Sequence, residues 1–356
     1  MNKNIGDIDV NLKFNTDISR EGFKFYSPEE EPFKLYGVTR MGDRFRRLPT
    51  SVAKATSEGV EFLHAHTAGG RVRFVTNSKR FILYAKLDNL AMAGNSCFEG
   101  NFGFDLYTGA DYRLSFIPPV NITEKKEYES LVELPDADGS GRLITVNMPN
   151  YCDVLGFSIG LEEGATVSAA PDYEYEKPIV YYGSSITQGG CASRPGRDYQ
   201  NIICRRFDTN YINLGFSGSA KGEQTIGNYI AGLDMSLFVL DYDHNAPTNE
   251  HLEATHEKFF KLIREKRPEL DILILSRPKA HLEVREQQRL EIITRTYENA
   301  VKGGDKHVFM IDGPTLMRYA GYEGTVDNCH PNDLGFESMG KVIGDFLDGR
   351  FFKSRK

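Results

Sequence analysis

The chain has no tryptophan, and its five cysteines, Cys97, Cys152, Cys191, Cys204 and Cys329, fall at no paired spacing. An odd, scattered set in a chain of 356 residues excludes a disulfide framework and reads as reduced thiols. Neither a Cys-x-x-Cys nor a His-Glu-x-x-His spacing occurs and the eight histidines are dispersed, so no metal site and no other cofactor is expected. No apolar run approaches the length of a membrane span, and the start Met1-Asn2-Lys3-Asn4-Ile5-Gly6-Asp7 lacks an apolar signal region, which makes the cytoplasm the expected location. An excess of positive charge is missing too. With 43 Lys and Arg against 50 Asp and Glu the net charge is −7, which argues against nucleic acid or a membrane as partner and for a neutral small-molecule substrate. Internal repeats and low-complexity tracts are absent.

What is present suffices for about two ordinary cores, with 40% hydrophobic residues. From about residue 8 to 172 short alternating or apolar runs recur: Arg71 to Val75, Phe81 to Leu87, Tyr112 to Ile117, Arg142 to Met148 and Val154 to Ile159. Gly, Asn, Asp and Pro clusters separate them, including Pro118-Pro119 and the loop from Asp136 to Gly141. Such spacing predicts an antiparallel, jelly-roll-like β-sandwich over 1–172. The polar stretch Pro171 to Pro178 marks the boundary. Beyond it, strands at Ile179 to Tyr182, Tyr211 to Gly215, Leu237 to Tyr242, Ile272 to Ser276 and Val308 to Ile311 alternate with helical patterns. One helical stripe is Leu252, His256, Phe259 and Ile263; another is Leu290, Ile293, Tyr297 and Val301, closed by Gly303; a last carries Phe336, Met339, Ile343 and Phe346. Alternating strands and helices over 178–356 predict a parallel sheet covered on both faces, the three-layer α/β/α class.

The first of those strands, Ile179 to Tyr182, ends abruptly in Gly183-Ser184-Ser185, which places Ser185 at the carboxyl edge where open α/β sheets bind ligands. A serine hydroxyl is a weak nucleophile until a base removes its proton, and that base needs a third group to fix its tautomer. Asp327-Asn328-Cys329-His330-Pro331, just before the last helical pattern, supplies both. Cys191 and Cys329 neighbour these blocks and read as small packing residues in preference to nucleophiles. Arg194 lies in the loop after the nucleophile, free to bond a substrate oxygen or to pair with an acid such as Glu223. His256 and His281 are expected on helices, as polar-face or packing residues.

Four blocks in this order, Gly183-Ser184-Ser185-Ile186-Thr187, Asn213 to Gly218, Asp243-His244-Asn245 and Asp327 to His330, resemble the SGNH (GDSL-like) hydrolases. Gly103-Phe104-Asp105-Leu106-Tyr107 further resembles the GxDLY signature of the group that carries an N-terminal sandwich. The resemblance implies a flavodoxin-like catalytic domain with Ser185 as nucleophile, His330 as general base and then acid, and Asp327 as its orienter. It also implies an oxyanion hole of the Ser185 and Gly218 backbone N–H groups and the Asn245 side chain. Separately from the resemblance, Arg194 and His244 are expected as substrate-binding residues. Two blocks depart from the superfamily pattern: Ser184 stands where aspartate is usual, and Asn245 is followed by Ala246 instead of aspartate and preceded by His244. The expected activity is hydrolysis of short acyl esters, acetyl foremost, on a carbohydrate. The alternatives are an acyltransferase using the same acyl-enzyme and a carbohydrate-binding protein with an inert hydrolase domain; the intact Ser185, Asp327 and His330 argue against the last.

Overall fold

The computed structural model describes residues 8–9, 18–119, 121–134 and 138–355. Asp136 and Ala137 of the expected surface loop, and the start from Met1 to Asp7, lie outside the described residues.

The first half forms two large antiparallel sheets and a two-stranded one, Thr39–Met41 with Arg44–Arg46. One large sheet has the order Phe23–Tyr26, Asp153–Glu162, Arg80–Asp88, Glu127–Glu133; the other runs Val167–Ala169, Arg71–Thr76, Arg142–Asn147, Phe104–Thr108, Asp111–Phe116, with Lys34–Tyr36 also paired to Arg71–Thr76. Period-two side chains explain why these two face each other. Phe81, Leu83, Ala85 and Leu87 of the first sheet share one buried cluster with Phe74, Phe104, Leu106, Ile144 and Val146 of the second.

The all-β expectation for this half is incomplete. Thr50–Thr56 and Glu58–Leu63 are helices, too short to show a helical stripe, and Ser57 Oγ caps the second by accepting from Val60 N. Leu48, Ala53, Val60 and Leu63 bury into the cluster around Phe216, Ile226 and Ile230 of the second half, not into the sandwich.

That second half is a five-stranded parallel sheet in the order Thr209–Gly215, Tyr175–Gly183, Leu237–Asp241, Ile272–Leu275, Val308–Ile311, which is the 2-1-3-4-5 order of flavodoxin-like folds. Along the first strand Ile179 and Tyr181 bury with the helices Tyr199–Phe207 and Asp333–Leu347, while Val180 and Tyr182 bury with Gln224–Ala231, Asn249–Lys266 and Val284–Lys302. The strand begins at Tyr175, inside the stretch read as a boundary. Pro178 is tolerated there because pairing with the neighbouring strand is irregular between Tyr175 and Ile179, so no ladder N–H is missed.

Helix Val284–Lys302 buries Arg289, Ile292, Ile293 and Thr296, and Val301 is exposed. The apolar stripe predicted over Leu290 to Val301 is thus rotated, since Thr296 Oγ1 hydrogen-bonds with His256 Nδ1 at 2.8 Å and Arg289 Nη2 donates to Ala246 O at 2.7 Å. His281 is exposed in the segment before this helix, not on a helix. His256 is buried on Asn249–Lys266 as expected.

Edge strand Thr209–Gly215 has one unpaired side, and the first half covers it with buried cations. Arg47 donates to Gly215 O at 2.6 Å and Asn213 O at 3.2 Å, Arg71 to Asn210 Oδ1 at 2.7 Å, and Arg73 pairs with Asp208 at 3.3 Å. Burial pulls the Arg47 guanidinium down to about 9, while its N–H groups donate to the carbonyls of Asn213, Gly215 and Leu63. The sandwich and the sheet are therefore joined through the strand next to the one bearing Ser185.

Candidate active site

Ser185 opens a single helical turn, Ser185–Gln188, with Ser184 between it and the strand that ends at Gly183. As the first residue of that turn its N–H has no intrahelical acceptor, while Ser184 Oγ takes Ile186 N at 3.1 Å. Serine in place of the family's aspartate thus preserves a cap. The turn is pinned from several sides. Gln188 Oε1 accepts from Ser217 N at 3.0 Å, Gln188 Nε2 donates to Asn150 O at 3.0 Å, and Asn213 Nδ2 donates to Thr187 O at 2.7 Å.

From the far end of the chain, Asn332 caps the last helix and Asn328 adopts a left-handed φ of 62°, which folds the Asp327 to His330 turn back over Ser185. His330 Nε2 lies 2.9 Å from Ser185 Oγ, and His330 Nδ1 lies 2.8 Å from Asp327 Oδ2. Asp327 Oδ1 also accepts from His330 N at 2.7 Å and Cys329 N at 3.1 Å. Burial pulls the Asp327 carboxyl up, but the hydrogen bonds from His330 and Asn95 outweigh it and hold the group at about 2. The Cys329 side chain lifts His330 most; burial opposes it, Asp327 adds to it, and the imidazole stands at about 9.

Two further neighbours come from the first half and were not legible in the sequence. Asn95 Nδ2 donates to Asp327 Oδ2 at 2.6 Å across 232 residues of chain, and Tyr151 OH donates to Ser185 O at 3.2 Å. Asn95 sits in Ala91-Met92-Ala93-Gly94-Asn95-Ser96, a loop with no periodicity, and only its loop character hinted at function. These segments join Phe62, Ser217, Ser185 and His330 around an open cavity of about 560 Å³, with the Phe62 ring 50% exposed in it.

Gly218 has φ 65° and an added Cβ would meet nothing within 4 Å, so backbone conformation and not crowding requires glycine there. Asn245 Nδ2 donates to Phe216 O at 2.8 Å, which turns its NH₂ toward the Phe216 to Gly218 turn and leaves it one hydrogen. Gly218, His244 and Asn245 line a second cavity, of about 460 Å³, with Arg277, Arg285 and Arg289.

Arg194 takes the expected pairing role, but with Asp105 and not with Glu223. Its Nε lies 3.6 Å from Asp105 Oδ2, its guanidinium stacks 3.8 Å from the Tyr112 ring centroid, and it is not among the residues lining the cavity at Ser185. Glu223 is engaged by Tyr182 OH at 3.0 Å instead. The reason is the GxDLY segment: buried Asp105 accepts Gly196 N at 2.8 Å, and a Cβ on Gly196 would lie 2.5 Å from Tyr107, so the strand Phe104–Thr108 holds the whole loop against the sandwich.

All five cysteines are free. Cys191 is buried, its thiol pushed up to about 12 by burial and then by Asp327, which fits an inert packing residue. The expectation of no metal-ligand cluster needs amendment: among the described residues Asp327, Cys329 and His330 offer ligand atoms within 4.8 Å of one another. No helix of the described residues is long and apolar enough to cross a membrane.

The GDSL-like Lipase/Acylhydrolase family model matches residues 176–347, and the model for the GxDLY N-terminus of SGNH-hydrolase-type esterases matches 23–167. The chain belongs to the GDSL-like lipase/acylhydrolase family, in its two-part form. It is accordingly an ester-hydrolysing enzyme. A protein described as a GDSL-like lipase from Bacteroides ovatus is similar over 91% of this chain and 97% of its own, at 26% identity and a TM-score of 0.80. The salicylyl-acyltransferase SsfX3 of a tetracycline biosynthetic pathway shares the fold over 91% of this chain and 96% of its own, at 19% identity and TM-score 0.73. So does the acetyl xylan esterase Est2A from the rumen bacterium Butyrivibrio proteoclasticus, over 91% and 97%, at 12% identity and TM-score 0.55. No curated protein sequence matches.

Proposed function

We propose that this GDSL-like hydrolase is a serine esterase that cleaves short acyl esters, acetyl foremost, from a carbohydrate through an acyl-enzyme on Ser185. The observation that carries the reading is the unbroken chain of contacts from Ser185 Oγ to His330 at 2.9 Å and on to Asp327 at 2.8 Å. In this mechanism neutral His330 takes the Ser185 proton as Oγ attacks the ester carbonyl. The imidazolium, balanced by Asp327, then protonates the departing alcohol, and His330 next activates water to cleave the acyl-enzyme. Developing negative charge on the carbonyl oxygen is met by the N–H groups of Ser185 and Gly218 and by the Asn245 amide, donors fixed before the reaction begins.

The carbohydrate assignment rests on the cavity and on the fold shared with an acetyl xylan esterase. An acetyl group occupies a small part of about 560 Å³, which leaves room for the alcohol against the exposed Phe62 ring, a surface suited to the C–H face of a sugar. We take 1–172 as an accessory unit that completes the catalytic unit 178–356, because Asn95, Tyr151 and Phe62 all come from it. Mass spectrometry of a panel of acylated sugars incubated with the protein tests the reading. Free acid and deacylated sugar are expected. A new ester formed on an added alcohol acceptor, with no free acid, would make the protein an acyltransferase.

A further inference from the structure

Cys329 stands between the catalytic turn and a second histidine that the esterase mechanism does not use. Its Sγ lies 3.9 Å from Nδ1 of His244, and its carboxylate and imidazole neighbours Asp327 and His330 have ligand atoms within 4.8 Å of it and of each other. A tetrahedral zinc ion with bonds of about 2.0 Å to N or O and 2.3 Å to S sets its ligand atoms roughly 3.3 to 3.5 Å apart. The His244 to Cys329 separation is already close to that, and Asp327 Oδ2 and His330 Nδ1, at 2.8 Å, need to open only by about half an ångström.

A second, independent feature lies behind His244. Its side chain is 6% exposed and its Nε2 has no hydrogen-bond partner, while Oδ1 of buried Asp243, likewise without one, stands 4.0 Å away. Two buried polar atoms facing each other unbonded cost stability with no return in the metal-free state. With Nδ1 on a metal, Nε2 must carry the proton and point it at Asp243, the carboxylate–histidine–metal relay that orients and strengthens imidazole ligands.

From this arrangement we propose that Asp327, Cys329, His330 and His244 form an inhibitory zinc site laid over the catalytic triad, with Asp243 supporting His244. A thiolate, two imidazoles and one carboxylate suit zinc and not the hard cations magnesium or calcium, which prefer oxygen alone. The ion enters from solvent, since the side chains of Asp327 and His330 are 32% and 24% exposed. On binding, Cys329 releases its thiol proton to solvent and a nitrogen of His330 gives its lone pair to the metal, so His330 no longer serves Ser185. Chelation therefore leaves the esterase active, and zinc switches it off.

The test begins with protein stripped by a chelator. Zinc should suppress hydrolysis of a small activated ester and excess chelator should restore it. Cys329→Ala and His244→Gln should each need at least about tenfold more zinc, every variant being scored against its own metal-free rate. Cobalt(II) bound to the wild type should show a thiolate-to-metal charge-transfer band, lost in Cys329→Ser and kept in Cys191→Ala. Equal zinc sensitivity of wild type and Cys329→Ala, or cobalt binding without that band in the wild type, overturns the site. The inhibition arm rests on the esterase reading; the cobalt arm does not, so the failure of one is distinguishable from the failure of the other.

Discussion

Asn95, in a loop of the N-terminal half, donates its amide to the same Asp327 oxygen that holds Nδ1 of His330, at 2.6 Å and 2.8 Å respectively. In the proposed mechanism the orienting acid is thus gripped from both halves of the molecule, and the N-terminal half would help to position the chemistry. Asn95→Ala should lower kcat/KM by about tenfold or somewhat more, the range for losing a hydrogen bond to a charged group, without a matching fall in thermal stability. Steady-state kinetics alongside a melting curve checks this; an unaltered kcat/KM would leave Asn95 with no catalytic bearing.

Ser185 is the atom on which activity should depend. Ser185→Ala is expected to abolish hydrolysis of a small activated ester, whereas Cys191→Ala, at a buried thiol held protonated, should retain most of it. Comparable rates in wild type and Ser185→Ala would remove the serine mechanism.

The pH profile follows from His330. The base must be neutral, and Cys329 and then Asp327 hold the imidazolium up to about 9 against burial. kcat/KM should therefore still be rising through pH 8 and level off above about 9, and Cys329→Ala should move that rise to lower pH. The same shift carries a stability term: His330 contributes fully below its ordinary value of about 6.5 and loses the contribution as pH rises through about 9. Asp327, held at about 2, contributes above the ordinary carboxylate range and loses it only as pH falls toward 2. A profile level from pH 6 to 9 would speak against a histidine base in this setting.

Asn245 is expected to act on the barrier and not on binding. Its NH₂ keeps one hydrogen free after bonding Phe216 O, available to an oxyanion at the Phe216 to Gly218 turn. Asn245→Ala should reduce kcat by roughly 10² to 10³ with KM little changed, since the Ser185 and Gly218 donors remain. A rise in KM at constant kcat would instead mark it as a ground-state contact.

Local pattern alone determined much of this protein. The five parallel strands follow from β-branched runs bounded by turns, and Asp198, Glu223 and Thr248 stand before helices 199–207, 224–231 and 249–266. Ser185, Asp327 and His330 could be named because the chemistry restricts which residue types can serve and their blocks resemble a known family. Tertiary structure decided the rest, for reasons of distance and burial. That Asn95 reaches Asp327 is a contact across 232 residues, which no periodicity encodes. The short helices Thr50–Thr56 and Glu58–Leu63 are stabilised by the neighbouring core and not by their own pattern. Arg194 faces the sandwich because a buried carboxylate, Asp105, lies there. Cys329 reads as a packing residue until the fold sets its sulfur beside His244, for a side chain's chemistry depends on what surrounds it, and only the folded chain supplies the surroundings.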